Sequence, residues 1–315
     1  MLRLTSEITI GTYRFTAVNQ VEIDSSWDNL TDTCTLTFPR QISWEGRSLA
    51  TGADPLLKRK MPVVVKVGYG GKNTEVFRGY VRDISAEIPV KVICEDGMYL
   101  LKQGQFTKSY RSVDTKTIVG DMGLSAPFEV VANATLGQFR ISKSTPAKVL
   151  EYLREHYFIK SFFREGKLYV GLAYVAALQR RRKIRFDRNV IDHTLEYREK
   201  DDVQLYLKAV IMMPDNTKVE VFEGEEGGEQ RTFHYYNMTK SAASALLKQE
   251  AERLKYTGYR GSFNTFGSPD IRHGDLVEMS DPNYPERDGT YVVTRVKINF
   301  GMSGYRQEVE LETKL

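Results

Sequence analysis

The stretch from Arg260 to Leu315 constrains this chain more than any other part of it. It reads Arg-Gly-Ser-Phe-Asn-Thr-Phe, then Gly-Ser-Pro-Asp-Ile-Arg-His-Gly-Asp, then Leu-Val-Glu-Met. After a loop come Asp-Gly-Thr-Tyr-Val-Val-Thr-Arg-Val-Lys-Ile-Asn-Phe and Gly-Tyr-Arg-Gln-Glu-Val-Glu-Leu-Glu-Thr. Apolar and polar residues alternate between Gly, Pro and Asp punctuation, which predicts a strand, a turn and a long closing hairpin. No helix interrupts them. Gly274, Asp275, Gly289 and Tyr291 mark the turns and the hairpin entry.

Residues 1–104 carry the same pattern. Glu7-Ile-Thr-Ile-Gly, Tyr13-Arg-Phe-Thr-Ala-Val and Cys34-Thr-Leu-Thr-Phe-Pro alternate, and Pro62-Val-Val-Val-Lys-Val-Gly-Tyr is a β-branched run bounded by Pro and Gly. Glu75-Val-Phe-Arg-Gly-Tyr-Val-Arg-Asp-Ile and Pro89-Val-Lys-Val-Ile-Cys-Glu-Asp complete about six short strands, the signature of a small barrel or sandwich.

The character changes near Gly104. Asp114 to Asp121 predicts a short helix stopped by Gly123 in a left-handed conformation. A second helix begins with Thr145 as cap and Pro146 in the first turn, with Val149, Leu150, Leu153 and Tyr157 on one face. Ile159 to Gly171 reads as a hairpin turning at Glu165-Gly166. Strand patterns return from Arg180, including Lys183-Ile-Arg-Phe, Leu195-Glu-Tyr-Arg, Val203 to Ile211 and, after a turn at Pro214-Asp-Asn-Thr, Lys218-Val-Glu-Val-Phe. A helix near 241–257, ended by Gly258, interrupts them, and Gly224-Glu-Glu-Gly-Gly-Glu reads as a solvated loop. The expected class is therefore mainly β with an α+β insert: a first β-barrel at 1–104, a small α/β domain at 105–178, and a second β-barrel at 179–315 with a helical excursion. Arg78-Gly79-Tyr-Val-Arg-Asp-Ile echoes Asp288-Gly289-Thr-Tyr-Val-Val-Thr-Arg-Val, which suggests that the two barrels are related.

Composition bounds the function. Tyr and Phe number 18 and 15, which favours strands, while only two tryptophans, Trp27 and Trp44, offer little to a carbohydrate-binding surface. Basic residues exceed acidic ones by 10 to 6 in 105–178 and balance them elsewhere, so no dense basic stripe marks a nucleic-acid surface. No apolar run is long enough for a membrane span, and the first residues lack a signal-peptide core, so folding in a cytoplasm is expected. Cys34 and Cys94 lie in strand contexts and read as buried apolar residues.

The chemical motifs fail one by one. Gly68-Tyr-Gly-Gly-Lys72-Asn is preceded by Lys66 where a phosphate loop needs a Gly, four intervening residues before the Gly-Lys pair; it lacks the following Ser or Thr and reads as a hairpin turn. His156, His193, His234 and His273 have no zinc-ligand spacing. Asp281-Pro-Asn-Tyr-Pro-Glu-Arg-Asp-Gly breaks the calcium-loop pattern with two prolines and reads as a rigid turn. No Gly-x-Ser-x-Gly elbow is present. Arg180-Arg-Arg-Lys183 reads as a solvated linker between the middle domain and the second barrel, with an acidic partner or phosphates as the other options. No metal, cofactor or catalytic residue is expected.

The order and wording of the C-terminal stretch resemble the end of the phage-tail baseplate hub family, which includes late control protein D and the hub part of type VI secretion spike proteins. The resemblance covers nearly the whole chain in layout and about its last fifty-five residues in recognisable sequence. It implies two related barrels around an α/β segment, and a homotrimeric ring that matches a six-fold tail tube to a three-fold spike. Its partners would be the tail tube protein and a spike, a separate polypeptide given that this chain ends at Leu315. DNA would pass through the channel without specific binding. The implied location is the virion tail or baseplate, assembled in the bacterial cytoplasm. Strands Val203 to Ile211 and Tyr291 to Phe300 are the expected edges between copies. A hub of a non-contractile tail keeps the fold and changes the machine. A cell-wall hydrolase with β-rich modules is the rival of a different class.

Overall fold

A computed structural model of the chain describes residues 3–39, 43–44, 47–48, 56–85, 89–131, 133–157, 159–171, 179–213, 217–236 and 238–314. The first part contains β1 (Leu4–Ile10), β2 (Tyr13–Phe15), β3 (Gln20–Ser26), β4 (Thr33–Phe38), the short pair β5 (Ser43–Trp44) and β6 (Arg47–Ser48), β7 (Pro62–Tyr69), β8 (Lys72–Ile84) and β9 (Val90–Glu95). Alternation does what the pattern requires. Val63, Val65 and Val67 of β7 are buried, while Val64 and Lys66 between them stay partly open. The Gly70-Gly71 turn has φ of +59° and +86° and joins β7 to β8 as a tight hairpin, so the apparent phosphate loop is a turn.

The middle part contains α1 (Met98–Leu101), β10 (Phe106–Tyr110), β11 (Val113–Asp114), α2 (Thr115–Asp121), β12 (Phe128–Val130), β13 (Thr135–Leu136), β14 (Phe139–Ser144), α3 (Pro146–Tyr157), β15 (Lys160–Arg164) and β16 (Lys167–Gly171). Both helices start where the sequence places them. Asp114 accepts from the Thr117 N–H and Thr145 from the Lys148 N–H. Val149, Leu150, Leu153 and Tyr157 all face a core that α1 also enters through Met98 and Leu101. The middle core therefore begins before Gly104, because α1 packs on α3 and not on the barrel alone.

The last part contains β17 (Arg181–Arg185), α4 (Phe186–Asn189), β18 (Val190–His193), β19 (Glu196–Arg198), β20 (Leu205–Met212), β21 (Lys218–Gly224), β22 (Glu229–Tyr236), α5 (Lys240–Leu254), β23 (Gly258–Phe266), β24 (Leu276–Ser280), β25 (Gly289–Gly301) and β26 (Gly304–Lys314). The fold is mainly β with small helical additions, as the pattern implies. Along the sheet, β7-β8-β9-β4-β3 and β24-β25-β26-β23-β18 follow the same order, and every pairing within both sets is antiparallel. The sets differ at their ends, where β1 is antiparallel to β7 and β17 is parallel to β24. The two sets also join. β3 pairs with β25, giving one 14-stranded sheet over one shared apolar core.

Several expectations change here. Gly79 is the eighth residue of β8 and Gly289 the first of β25, so the strands correspond but the two glycines do not. The helical excursion is larger than a helix: β21-β20-β22 form their own three-stranded sheet, packed with α5 around Leu205, Leu207, Ala209, Ile211, Ala243 and Leu247. The helix ends at Leu254, where Lys255 turns extended, and Gly258 instead opens β23. Neither expected edge is an edge. β20 has a neighbour on both sides, and β25 pairs with β24, β3 and β26. The Pro214 to Asn216 part of the expected turn and the Trp44 side chain lie outside the described residues.

Cys34 and Cys94 face each other across β4 and β9, both fully buried and both free thiols. Burial pushes the Cys94 thiol up to about 12 and raises Cys34 well above the ordinary range. The folded protein should therefore leave both thiols unreactive toward an aromatic disulfide reagent at pH 8. Two thiols per chain should react once denaturant is added; fast labelling of the native chain would contradict this core.

Candidate assembly site

The turn-rich segment Gly267 to Asp275 is where the parts of the chain meet. Asp275 is fully buried and accepts from Arg180 through both Nε (3.2 Å) and Nη2 (2.7 Å), and from the Arg272 N–H (3.0 Å). Asp270 takes the second arm of Arg180 at 2.8 Å and Nη2 of Arg182 at 3.1 Å. Arg181 reaches Glu278 at 3.1 Å. The basic run at 180–183 is thus no solvated linker. It leads into β17, and Arg180 and Arg182 neutralise two carboxylates of the loop. Bidentate guanidinium pairing suits this geometry, because a planar fork satisfies both oxygens at once.

Gln307, fully buried on β26, ties down the rest of the loop. Its Nε2 donates to the Phe266 and Pro269 carbonyls, both at 2.8 Å, and its Oε1 accepts from the Ile271 N–H at 3.0 Å. A Cβ at Gly267 would lie 2.1 Å from the Tyr305 ring, so only glycine lets the loop cross that ring.

The loop also completes the sheet. On one edge of β25, residues 289–292 pair with β24 and residues 295–301 with β3. In the gap, Val293 donates to the Asp275 carbonyl and accepts from the Gly274 N–H, while the Thr294 carbonyl accepts from the Trp27 N–H. Gly274 reaches this position at φ +81°. Tyr291, fully buried, accepts from the Tyr259 N–H and donates to the Arg287 carbonyl, both at 3.3 Å. Gly289 lies beside Lys314, 2.4 Å from a would-be Cβ. Four of the five signature residues therefore gather along β25. Gly79 sits apart, in β8, where a Cβ would meet the Glu95 carbonyl oxygen at 2.1 Å, and so allows β8 and β9 to approach.

The middle unit docks at the same place. Arg164 of β15 donates to the His273 carbonyl at 2.7 Å, and Arg272 donates to the Glu75 carbonyl at 2.8 Å. Phe162 packs between Trp27 and Tyr169 and stands edge-on to His273. Arg154 donates to the Asp28 carbonyl, and Lys160 pairs with the Asp28 carboxylate at 2.5 Å. Trp27 is thus an anchor between barrel and middle unit.

A cavity of about 190 Å³ lies within this junction, lined by Asp32, Asp96, Arg164, Arg272 and His273 among others. Burial raises the Asp32 carboxyl to about 6, against opposing hydrogen bonds from the Ser25 hydroxyl and Ser26 N–H and the field of Arg164. Burial, then proximity to Asp32, raises Asp96 well above the carboxylate range. Burial, then Arg164 and Arg272, depresses His273 and keeps its ring neutral. Among the described residues no group of three His, Cys, Asp or Glu side chains forms a metal site. His156 rests against Tyr152, with its Nδ1 3.3 Å from the His234 carbonyl, while His193 lies against Phe186. The Asp281 segment is a turn, with the Asp281 carboxylate accepting from Asn283 and the Asp288 carboxylate accepting from the Asp281 N–H.

Sequence reasoning found the loop but missed Arg180, Arg182, Gln307, Arg164 and Asp32. The one available signal was charge matching: the densest basic run in the chain precedes a segment with Asp270 and Asp275 but no other use for them.

No family model matches the chain, and no curated protein matches its sequence. Solved structures do match its fold. A tail protein of Neisseria meningitidis superposes with a TM-score of 0.72 at 13% identity, over 98% of this chain and 96% of that one. The tail protein of prophage MuSo2 from Shewanella oneidensis gives 0.63 at 13% identity, over 98% and 97%. An Escherichia coli component of the type VI secretion system, described as structurally similar to T4 bacteriophage tail proteins, gives 0.61 at 9% identity, over 98% of this chain and 76% of that one. The chain therefore has the fold of phage and prophage tail proteins, in agreement with the baseplate-hub resemblance of its C-terminal residues.

Two outcomes test this site. Asp275→Asn removes the buried one of the two carboxylates that Arg180 pairs with, Asp270 remaining, and should cost about 2 kcal/mol of unfolding free energy. Chemical denaturation measures it, and a loss below about 1 kcal/mol, the level of an exposed pair, would mean the cluster is peripheral. Asp32 gives a pH signature. Because its folded pKa lies above the ordinary 3.8, ionising it costs stability as pH rises through about 6, and that cost is absent below 3.8. Asp32→Asn should raise the unfolding free energy at pH 8 relative to the parent by up to about 3 kcal/mol, with the gain shrinking toward pH 4. A gain that is constant with pH would remove this account.

Proposed function

We propose that the chain is a structural hub protein of a phage or phage-like contractile tail. In this reading three copies form a ring in which six similar barrels meet the six-fold tail tube on one side and a three-fold spike on the other. The observation that carries it is the end-to-end match with two tail proteins, over 96% and 97% of their lengths. The matched strand order of the two barrels supports it independently. Two like units per chain let three chains imitate six subunits, which reconciles two symmetries within one closed assembly.

The chain would act at the tail or baseplate end of the particle after assembly in the bacterial cytoplasm, with DNA passing its channel unread. No helix among the described residues is long and apolar enough to cross a membrane. No catalytic step belongs to this reading. The best place for one is the Asp32–Asp96 cavity, and peptidoglycan cleavage that disappears in Asp32→Asn would replace the hub with a hydrolase.

Mass photometry over a concentration series, followed by electron microscopy of the assembled species, tests the ring. A trimer with a central channel and six similar lobes is the expected result. A stable two-fold dimer, or a monomer that persists at high concentration without any three-fold ring, overturns the proposal.

A further inference from the structure

The β7–β8 and β25–β26 hairpin tips frame a groove of about 1440 Å³ on the side of the chain away from the insert. Its floor is aromatic. Tyr69 and Tyr305 lie 5.7 Å apart, and the buried Tyr305 hydroxyl has no hydrogen-bond partner. Phe266 is 42% exposed beneath the Arg306 guanidinium, and Met302 at the β25–β26 tip is fully exposed. Arg3, Lys72 and Arg306 line the groove, and among the described residues none of them has a carboxylate within ion-pair distance. Asp270, the acid in the lining, is already engaged by Arg180 and Arg182.

We propose that this groove is a docking surface for an extended acidic segment of another protein, one that alternates carboxylates with apolar side chains. An exposed Phe266, a partly buried Tyr69, an exposed Met302 and Arg gathered in one place match the composition of the core of a protein interface. Three unpaired cations above that floor supply complementarity to carboxylates and select against basic segments. A nucleic-acid track needs a row of cations to replace released counter-ions, and most of this lining is apolar or backbone. The chain's own acidic loop is not the occupant. Glu225 is hydrogen-bonded to Leu205 and lies 3.7 Å from Lys255, near Gly258 at the start of β23, whereas Phe266 is at the far end of that strand. Nine extended residues, about 30 Å, separate the two. This inference goes beyond the hub reading and holds whether the chain is a monomer or a trimer.

Fluorescence anisotropy on the full chain tests it, with a labelled peptide of alternating glutamate and leucine as probe. Saturable binding is expected, weakened by added salt and by about tenfold or more in R3A/K72A/R306A. Met302→Ala, which changes only an exposed tip, should weaken it too. The control K91A/R111A/K116A, at exposed cations elsewhere, should bind like the parent. The proposal is overturned by absent binding, by equal affinity in the triple variant, or by equal affinity for a lysine–leucine peptide. Tighter binding of single-stranded DNA of the same charge overturns it as well and reassigns the groove to nucleic acid. Mass photometry on the same samples keeps the two readings apart: a monomer that still binds the peptide removes the hub and leaves the groove.

Discussion

The rest of the structure depends on β25 serving two partners along one edge. A 13-residue strand outlasts β24, and the remainder pairs with β3 from the other half of the chain. Register shifts between Tyr291 and Arg295 in its pairing with β26 fall where the partner changes on the opposite edge. A bulge there adds twist and lets one strand change partners along a single continuous sheet. Arg295, just past the shift, grips Asp24 of β3 with both arms, and Gly274, Asp275 and Trp27 satisfy the backbone groups in between. An unfilled gap would leave buried N–H and C=O groups unpaired, at a cost comparable to several hydrogen bonds.

This continuity explains why charge is concentrated at the junction. Where the two halves of the sheet and the middle unit meet, apolar faces are already used, and the remaining contacts run through loops whose backbone groups need partners. Arginines meet that need, since one guanidinium reaches several carbonyls and carboxylates at once. Arg164, Arg180, Arg182 and Arg272 each bond to the Gly267–Asp275 loop or the strand beside it. Desolvating these charges gives back much of the Coulombic gain, so the cluster is better understood as fixing one arrangement of the three parts than as a large source of stability. The buried Asp32, Asp96 and His273 carry the same cost in another form, with burial pushing each toward its neutral state.

The middle unit and the β20–β22 insert are built differently from the barrels. Each has a core of its own, and the middle unit meets the barrel through aromatic contacts such as Trp27 with Phe162. Tyr157 and Tyr235 link one to the other, together with the His156–His234 contact. Among the described residues Met302 at the β25–β26 tip is fully exposed, and the basic, aromatic groove lies beside it.

The sequence by itself determined the local structure. Period-two alternation specified β1, β7 and the far half of β25, where Val296, Ile298 and Phe300 are buried in turn; Asp114 and Thr145 specified two helix starts, and Glu165-Gly166 a tight turn, because these are short-range effects of caps and φ. The C-terminal wording also pointed to the loop at which the parts of the chain meet. Tertiary structure alone decided which strands became neighbours. Val203 to Ile211 and Tyr291 to Phe300 look like free edges because alternation reports the face of a strand and is silent about its sides. The Arg180 run looks like a linker for a related reason: its partners, Asp270 and Asp275, lie about ninety residues away. Hydrogen-bonding edges and long-range charge pairs are set by which surfaces meet in space, and no local pattern encodes that.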